Sequence, residues 1–410
     1  MVGRRVVSSV ALRRRTPIAA LAAAAALLLT ACSGGLPTSS GSGDAGTTGQ
    51  EQPKAAPPTI KIAPAEGTTR VRPDRSVVVA ATNGELESVT VRARGKVVKG
   101  AFDAARSRWR SKEPLRPGTT YTVEAKATGE GGPAEATSRF TTLKPQSTLA
   151  IADVTPAIKG ETLGVGAPII VTFNQAVKDK AAVERALHVK AEKPVPGAWR
   201  WVSDNQVIYR TAKFWPAHQK VTFTARLTGV RSGPGTWGTQ DSTTVLKIGA
   251  AWISTVNVKT HMMIVRKDGK VVQRMPISAG KATTREYTTT SGIHLTMERG
   301  SPVVMTSPGR KEGDPGYYRE VVDHAVRISS SGEYVHSAPW SVGSQGRANV
   351  SHGCINAHPR QAKWFYDNFH RGDVVKITGT NRPLEWNNGW GFWQLSFKEW
   401  KKGSALNSAR

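Results

Sequence analysis

Between residues 59 and 250 apolar side chains recur at every second position in short runs, and Gly, Pro and Asn break the runs. Ser76-Val77-Val78-Val79 leads into a turn signal at Asn83-Gly84, followed by Ser88-Val89-Thr90-Val91. Pro117-Gly118 opens a segment from 119 to 127 in which Tyr121, Val123 and Ala125 alternate with polar neighbours. A period of two puts one set of side chains on one face of a pleated strand, so residues 59–148 are predicted to form a small Ig-like β-sandwich. Residues 149–250 repeat the design. Ile169-Ile170-Val171-Thr172-Phe173 is strand-like, and the stretch from Pro117 to Ala125 is echoed by that from Pro216 to Ala225, offset by one residue. Each echo is followed by a closing strand, 139–143 and 243–247. A second Ig-like module is therefore expected over 149–250.

A third region, 251–379, is again strand-rich, with runs at 253–258 and 262–265 and a Lys267-Asp268-Gly269 turn into Val271-Val272. One helix is predicted over 359–368, where Ala362, Trp364 and Phe365, with Phe369 just beyond, share a face. The tail, 380–410, carries Trp386, Trp390, Trp393 and Trp400, which are expected to pack back onto the fold rather than to hold a sugar.

The N-terminus reads as an export signal, residues 1–31. Arg4, Arg5 and Arg13 to Arg15 precede an Ala/Leu run at 18–29 that is too short to span a bilayer. Leu29-Thr30-Ala31-Cys32-Ser33 resembles a bacterial lipobox, which implies cleavage before Cys32 and diacylglycerol on its sulfur, anchoring the chain to the outer face of the cytoplasmic membrane. Residues 32–58, rich in Gly, Ser, Thr and Pro, are expected to be a flexible tether reaching roughly 25–30 Å. The formal net charge of +27 calls for an anionic partner. In an exported chain that points to lipid headgroups and wall polymers and away from nucleic acid.

With Cys32 lipidated, the second of the two cysteines, Cys354, is alone in an oxidising compartment, where a lone thiol is a candidate nucleophile. It lies in Ser351-His352-Gly353-Cys354-Ile355-Asn356, eighteen residues after His336 in Tyr334-Val335-His336-Ser337-Ala338-Pro339-Trp340. A histidine beside a thiol can take its proton and later return it to a leaving amine. A glycine beside the nucleophile permits the tight bend that turns backbone amides toward an oxyanion. The nine histidines show no paired ligand spacing, so neither metal nor cofactor is expected.

Ser351-His352-Gly353-Cys354 resembles the signature of the L,D-transpeptidases, and lipobox, paired Ig-like modules and Trp-rich tail resemble the actinobacterial, mycobacterial-type branch. The resemblance implies a mainly β chain: two tandem Ig-like β-sandwich domains, a β-rich YkuD-type L,D-transpeptidase catalytic domain, then the tail. It implies that Cys354 attacks the carbonyl of the meso-diaminopimelate L-centre in a peptidoglycan tetrapeptide, releases D-Ala, and passes the acyl group to the side-chain amine of an acceptor stem, giving a 3→3 cross-link. His336 is then the base, oriented by the Ser337 carbonyl. His352 supports the site, and the amides of Gly353 and Cys354 line the oxyanion hole. Tyr318, Ser331, Gly332 and Asn356 match substrate-contacting positions, Trp340 and Met305 match pocket walls, and carbapenems would acylate Cys354.

Two features depart from the family pattern. Asn356 stands where an Arg is common, two residues after the nucleophile, which removes a charge-assisted pair to a substrate carboxylate. The lid segment, 306–317, is charged, with Arg310, Lys311 and Glu312, and its basic residues are expected to help hold an acidic stem. Three other readings are weaker. A cysteine endopeptidase or amidase of the wall commonly has its nucleophile before its His, whereas His336 precedes Cys354 here. A sortase-like enzyme also has His before Cys but lacks Ser-His-Gly-Cys, and a wall-binding scaffold with a dead site does not need the His336/Cys354 pair.

Overall fold

The structure, a computed structural model, describes residues 55–307 and 309–407, all within one compact unit that spans Lys54–Arg410. The export signal, Cys32 and most of the tether lie outside the described residues.

Two four-stranded sheets face each other in the first part of the chain. One runs Thr59–Ala63, Val78–Thr82, Arg108–Ser111, Gly100–Phe102; the other runs Lys96–Val97, Glu85–Ala93, Thr120–Gly129, Gly132–Thr141. The alternation read in the sequence is the packing pattern. Tyr121, Val123, Ala125 and Ala127 point inward, and Tyr121 stacks on Phe140 of the neighbouring strand with ring centroids 5.3 Å apart. Burying a ring such as Phe140 contributes roughly 2–3 kcal/mol.

The next sheets repeat the scheme with additions. Ile151–Thr155, Ile169–Phe173, Gln206–Thr211 and Gly197–Trp201 form one layer, and Thr162–Leu163, Ser242–Ile248, Gln219–Ala225 and Leu187–Ala191 the other. A three-stranded ribbon and a short helix, Lys180–Arg185, are extra; Asp179 caps the helix by accepting from the Ala182 amide at 3.0 Å.

The aromatic tail packs into this second sandwich. Trp390, Phe392 and Trp400 join Phe173, Trp199 and Phe223 in one buried cluster, which also takes in Leu295 and Val374 of the third region. The guanidinium of Arg210 lies 4.9 Å from the ring centres of Trp393 and Trp400, and its Nη2 donates to the Leu395 carbonyl at 2.6 Å.

The third region is a nine-stranded sheet ordered Gly292–Leu295, Val374–Thr378, Trp252–Asn257, Met262–Lys267, Lys270–Ser278, Ile355–Ala357, Tyr334–Ser337, Ala325–Arg327, Arg299–Gly300. The helix Pro359–Asn368 starts with Pro in its first turn, where the missing N–H costs nothing, and buries Ala362 and Phe365. Phe369, just past its end, stacks on Phe365 with centroids 3.9 Å apart. Val303–Thr306 and Arg319–Val322 pair as a separate hairpin that carries the lid.

Candidate active site

Tyr334–Ser337 and Ile355–Ala357 run parallel, with His336 directly opposite Asn356. Strand alternation turns Cys354, two residues before Asn356, toward the face that His336 occupies. The crossover between the strands carries Ser351-His352-Gly353, so the pairing brings together groups eighteen residues apart.

His336 is buried, and its Nδ1 lies 2.9 Å from the Ser337 carbonyl oxygen. A carbonyl only accepts, so the proton is on Nδ1 and Nε2 keeps a free lone pair. Burial drags the imidazole down to about 4, although the Ser337 carbonyl and the Asn356 side chain work the other way. At neutral pH the base is uncharged and ready to receive a proton.

Cys354 is partly exposed, and its thiol donates to the Gly332 carbonyl at 3.5 Å. Apolar surroundings push it up to about 12, against a backbone hydrogen bond from Tyr334. Met305, Val322, Ala325 and Tyr334 form the adjoining apolar cluster, with Tyr318 and Cys354 packed on it. With the thiol near 12 and the imidazole near 4, both groups are neutral at rest. The thiolate therefore forms only as the proton leaves during attack.

Gly353 adopts φ +129°, a conformation closed to other residues without strain. Its amide donates to Ser351 Oγ at 3.1 Å, and Ser351 Oγ donates to the Cys354 carbonyl at 2.6 Å. The expectation has two amides facing the oxyanion, whereas the Gly353 amide is committed to Ser351. Asn356 also differs from its expected role. It is buried, its Nδ2 donates to Ser341 Oγ at 3.1 Å, and it serves the His336 side of the site rather than an open subsite.

His352 is sandwiched by aromatic rings, Tyr318 parallel to it at 4.3 Å and Tyr287 tilted at 4.9 Å. Burial and the nearby Lys281 charge lower its pKa, with Glu286 opposing. Burial, then the Cys354 sulfur, pushes the Tyr318 phenol up to about 12, so it remains a hydrogen-bond donor. Trp340 is 54% exposed at the rim, its ring centroid 6.1 Å from that of His336. Ser331 is exposed and tied to the tail: its amide donates to Asn388 Oδ1 at 2.9 Å, and Asn388 Nδ2 donates to Ser331 Oγ at 2.9 Å.

The lid's charge is partly spent within the chain. The Arg310 guanidinium pairs with the Glu286 carboxylate, with Nη2 3.0 Å from Oε2, and Nη1 reaches the Tyr287 hydroxyl at 3.3 Å. Arg310 is thus a clasp between lid and neighbouring loop rather than a free cation for an acidic stem, because Glu286 already neutralises it.

Residues 251–377 match the family description "L,D-transpeptidase catalytic domain", and residues 68–231 match "Bacterial Ig domain". L,D-transpeptidase 2 of Mycobacterium tuberculosis is 36% identical over 352 residues, 85% of this chain and 85% of that protein. L,D-transpeptidase 5 of the same organism is 34% identical over 369 residues, 87% of this chain and 79% of its own. Among solved structures, an L,D-transpeptidase from Mycobacterium smegmatis covers 56% of this chain and 99% of that one at TM-score 0.48 and 35% identity. A complex of the transpeptidase LdtMt1 with imipenem aligns over the same shares at TM-score 0.49 and 35% identity. With its histidine on a strand paired to the one that Cys354 immediately precedes, and relatives of this kind along most of its length, the chain belongs to the L,D-transpeptidase family and is an L,D-transpeptidase.

Proposed function

We propose that this enzyme forms 3→3 cross-links in peptidoglycan. The observation that carries the reading is the neutral His336, its Nδ1 fixed on the Ser337 carbonyl, in a strand beside the one that Cys354 opens. The Cys354 thiol swings from Gly332 toward His336, whose Nε2 takes its proton as sulfur attacks the carbonyl between the meso-diaminopimelate L-centre and D-Ala. The tetrahedral oxyanion is met by the Cys354 amide, with the Tyr318 hydroxyl as a second donor. Collapse breaks the amide bond, and D-Ala leaves with the proton from His336, giving a thioester. The side-chain amine of an acceptor stem then attacks, His336 takes a proton from it, and that proton returns to sulfur as the thioester breaks. Thioester chemistry conserves the energy of the amide it consumed, so no nucleotide is needed. Ser331, Gly332 and Trp340 contact the donor stem at the rim, and Met305 forms the apolar wall.

The working location is the outer face of the cytoplasmic membrane, anchored through lipid on Cys32, with the two sandwiches spacing the catalytic domain toward the wall. No described helix is long and apolar enough to cross a membrane. The net charge supports anionic wall polymers as contacts. A cleft of about 670 Å³ where the two sandwiches meet supports them further, lined by Arg94, Lys96, Lys99, Arg116 and Arg226 against two carboxylates. Carbapenems, which present a strained acyl donor, acylate Cys354.

Incubation of the enzyme with purified disaccharide-tetrapeptide, followed by fragment mass spectrometry, tests the reading. It predicts a dimer lacking one D-Ala and linked between diaminopimelates. Cleaved monomer alone would replace it with a carboxypeptidase.

A further inference from the structure

Behind the nucleophile lies a chain of buried polar groups that the acyl transfer above does not use. Thr289, Thr290 and His294 are fully buried, and Glu333 is 4% exposed. Glu333 Oε1 accepts from the Thr290 amide at 2.7 Å, and Oε2 accepts from Thr290 Oγ1 at 2.7 Å. A carboxylate only accepts, so the Thr290 hydroxyl spends its proton there and receives His294 Nε2–H at 2.8 Å. Burial works against the Glu333 charge, but His294 and the two bonds from Thr290 outweigh it and hold the carboxyl below the usual range. A carboxylate held in a nearly dry interior is kept only where its partners are fixed.

The neighbouring threonine points to the other side of the sulfur. Thr289 Oγ1 donates to the Gly353 carbonyl at 2.7 Å and accepts from the Gly280 amide at 2.9 Å. Two consecutive residues therefore grip the two loops that flank Cys354. Thr289 holds the residue before it, and Thr290 holds Glu333, next to the Gly332 carbonyl that receives the thiol. Glu333 is itself fixed at both backbone atoms, its amide on Ser329 Oγ at 3.1 Å and its carbonyl on the Ile328 amide at 2.9 Å.

We propose that Glu333 is a positioning residue for the nucleophile: braced by Thr290 and His294, it fixes the turn whose Gly332 carbonyl holds the Cys354 thiol, while Thr289 fixes the loop on the other side. The threonine strut sets the sulfur's resting place and its distance from His336. Glu333 acts through the turn and not on substrate. The charges of Glu333 and Glu320 raise the thiol's pKa and that of Arg327 lowers it, and Tyr318 and Tyr334 pack in the same cluster as Cys354.

The test uses the full chain with Glu333→Gln, Thr290→Val and, as the hydroxyl-keeping control, Thr290→Ser. Two readouts are compared: steady-state turnover of the disaccharide-tetrapeptide, and the pH dependence of Cys354 alkylation by iodoacetamide. The inference rests on the transpeptidase reading, but alkylation does not involve the donor stem, so the two can fail separately. Glu333→Gln and Thr290→Val are expected to lose roughly tenfold or more in kcat with KM little changed. The alkylation midpoint in Glu333→Gln is expected to move to lower pH, because a negative charge beside the thiol is gone. Thr290→Ser should stay near the parent in both. A merely structural role would lower the melting temperature and leave the alkylation profile in place. Parental kcat and profile in both variants, or a Thr290→Ser enzyme as impaired as Thr290→Val, would overturn the proposal. If Thr290→Val does not fold, Glu333→Gln read against Glu333→Asp decides it, since only the variant keeping the carboxylate should retain the parental profile.

Discussion

In the first sandwich the strand Thr120–Gly129 buries Tyr121, Val123, Ala125 and Ala127, and the residues between them face solvent. Around Cys354 an apolar cluster of Met305, Val322, Ala325 and Tyr334 is joined by buried polar side chains, Thr289, Thr290, His294, Glu333, His336 and Asn356. Both regions are β-sheet, yet one is held mainly by apolar area, and the other adds to it a buried set of hydrogen bonds with few alternatives. Apolar contacts tolerate small adjustments, because each is weak and undirected. A buried hydrogen-bonded network does not, because an unmade bond there leaves a desolvated polar group. The sandwich can therefore lose a side chain and keep its fold, whereas the nucleophile's surroundings lose geometry at once.

Substitution of His336 should separate the two regions most sharply. His336→Gln keeps a polar side chain but removes the base, and turnover should fall by about 10²–10⁴ while the sandwiches melt as before. The converse change is Phe140→Ala in the first sandwich. It should lower unfolding stability by about 3–5 kcal/mol, read by denaturant titration, and leave kcat at the parental value below the transition. Loss of kcat in folded Phe140→Ala would break the comparison.

A gentler probe is pH. With His336 depressed to about 4, kcat/KM should hold through the weakly acidic range and fall only as pH drops through about 4. Stability follows the same group. Between its folded pKa near 4 and the ordinary histidine value of about 6.5, the unfolded chain binds the proton and the folded one does not, so this contribution weakens as pH falls across that window. A midpoint for kcat/KM near the ordinary value would contradict the buried, neutral base. The smallest effect belongs to the lid clasp. Arg310→Ala removes an exposed pair with Glu286 and should change KM by no more than about threefold, with kcat unchanged.

Much of this molecule was legible before any coordinate. The strand at 221–225 announces itself by local period, that at 169–173 by a run of β-branched and aromatic residues, and the helix Pro359–Asn368 by one apolar face. The nucleophile and its base stand out because Cys354 closes the phrase Ser351-His352-Gly353-Cys354, eighteen residues after His336. What the sequence did not disclose depends on contacts distant along the chain. Thr290 and Glu333 are forty-three residues apart, and neither is rare enough to draw notice. The Arg310–Glu286 clasp hides for the same reason. The family resemblance implies a substrate contact for Asn356, but the parallel ladder sets it opposite His336 and spends its amide on Ser341. The helix Lys180–Arg185 is too short to show a period.

The central claim is that acyl transfer passes through Cys354, drawn as a neutral thiol toward a neutral His336. Intact-protein mass spectrometry of the enzyme quenched in acid during turnover of the disaccharide-tetrapeptide tests it most directly. The account predicts an adduct with the mass of the donor less D-Ala, mapped by proteolysis to the peptide containing Cys354 and absent from Cys354→Ala. Cross-linked product still made by Cys354→Ala, or an adduct on any other residue, would contradict it.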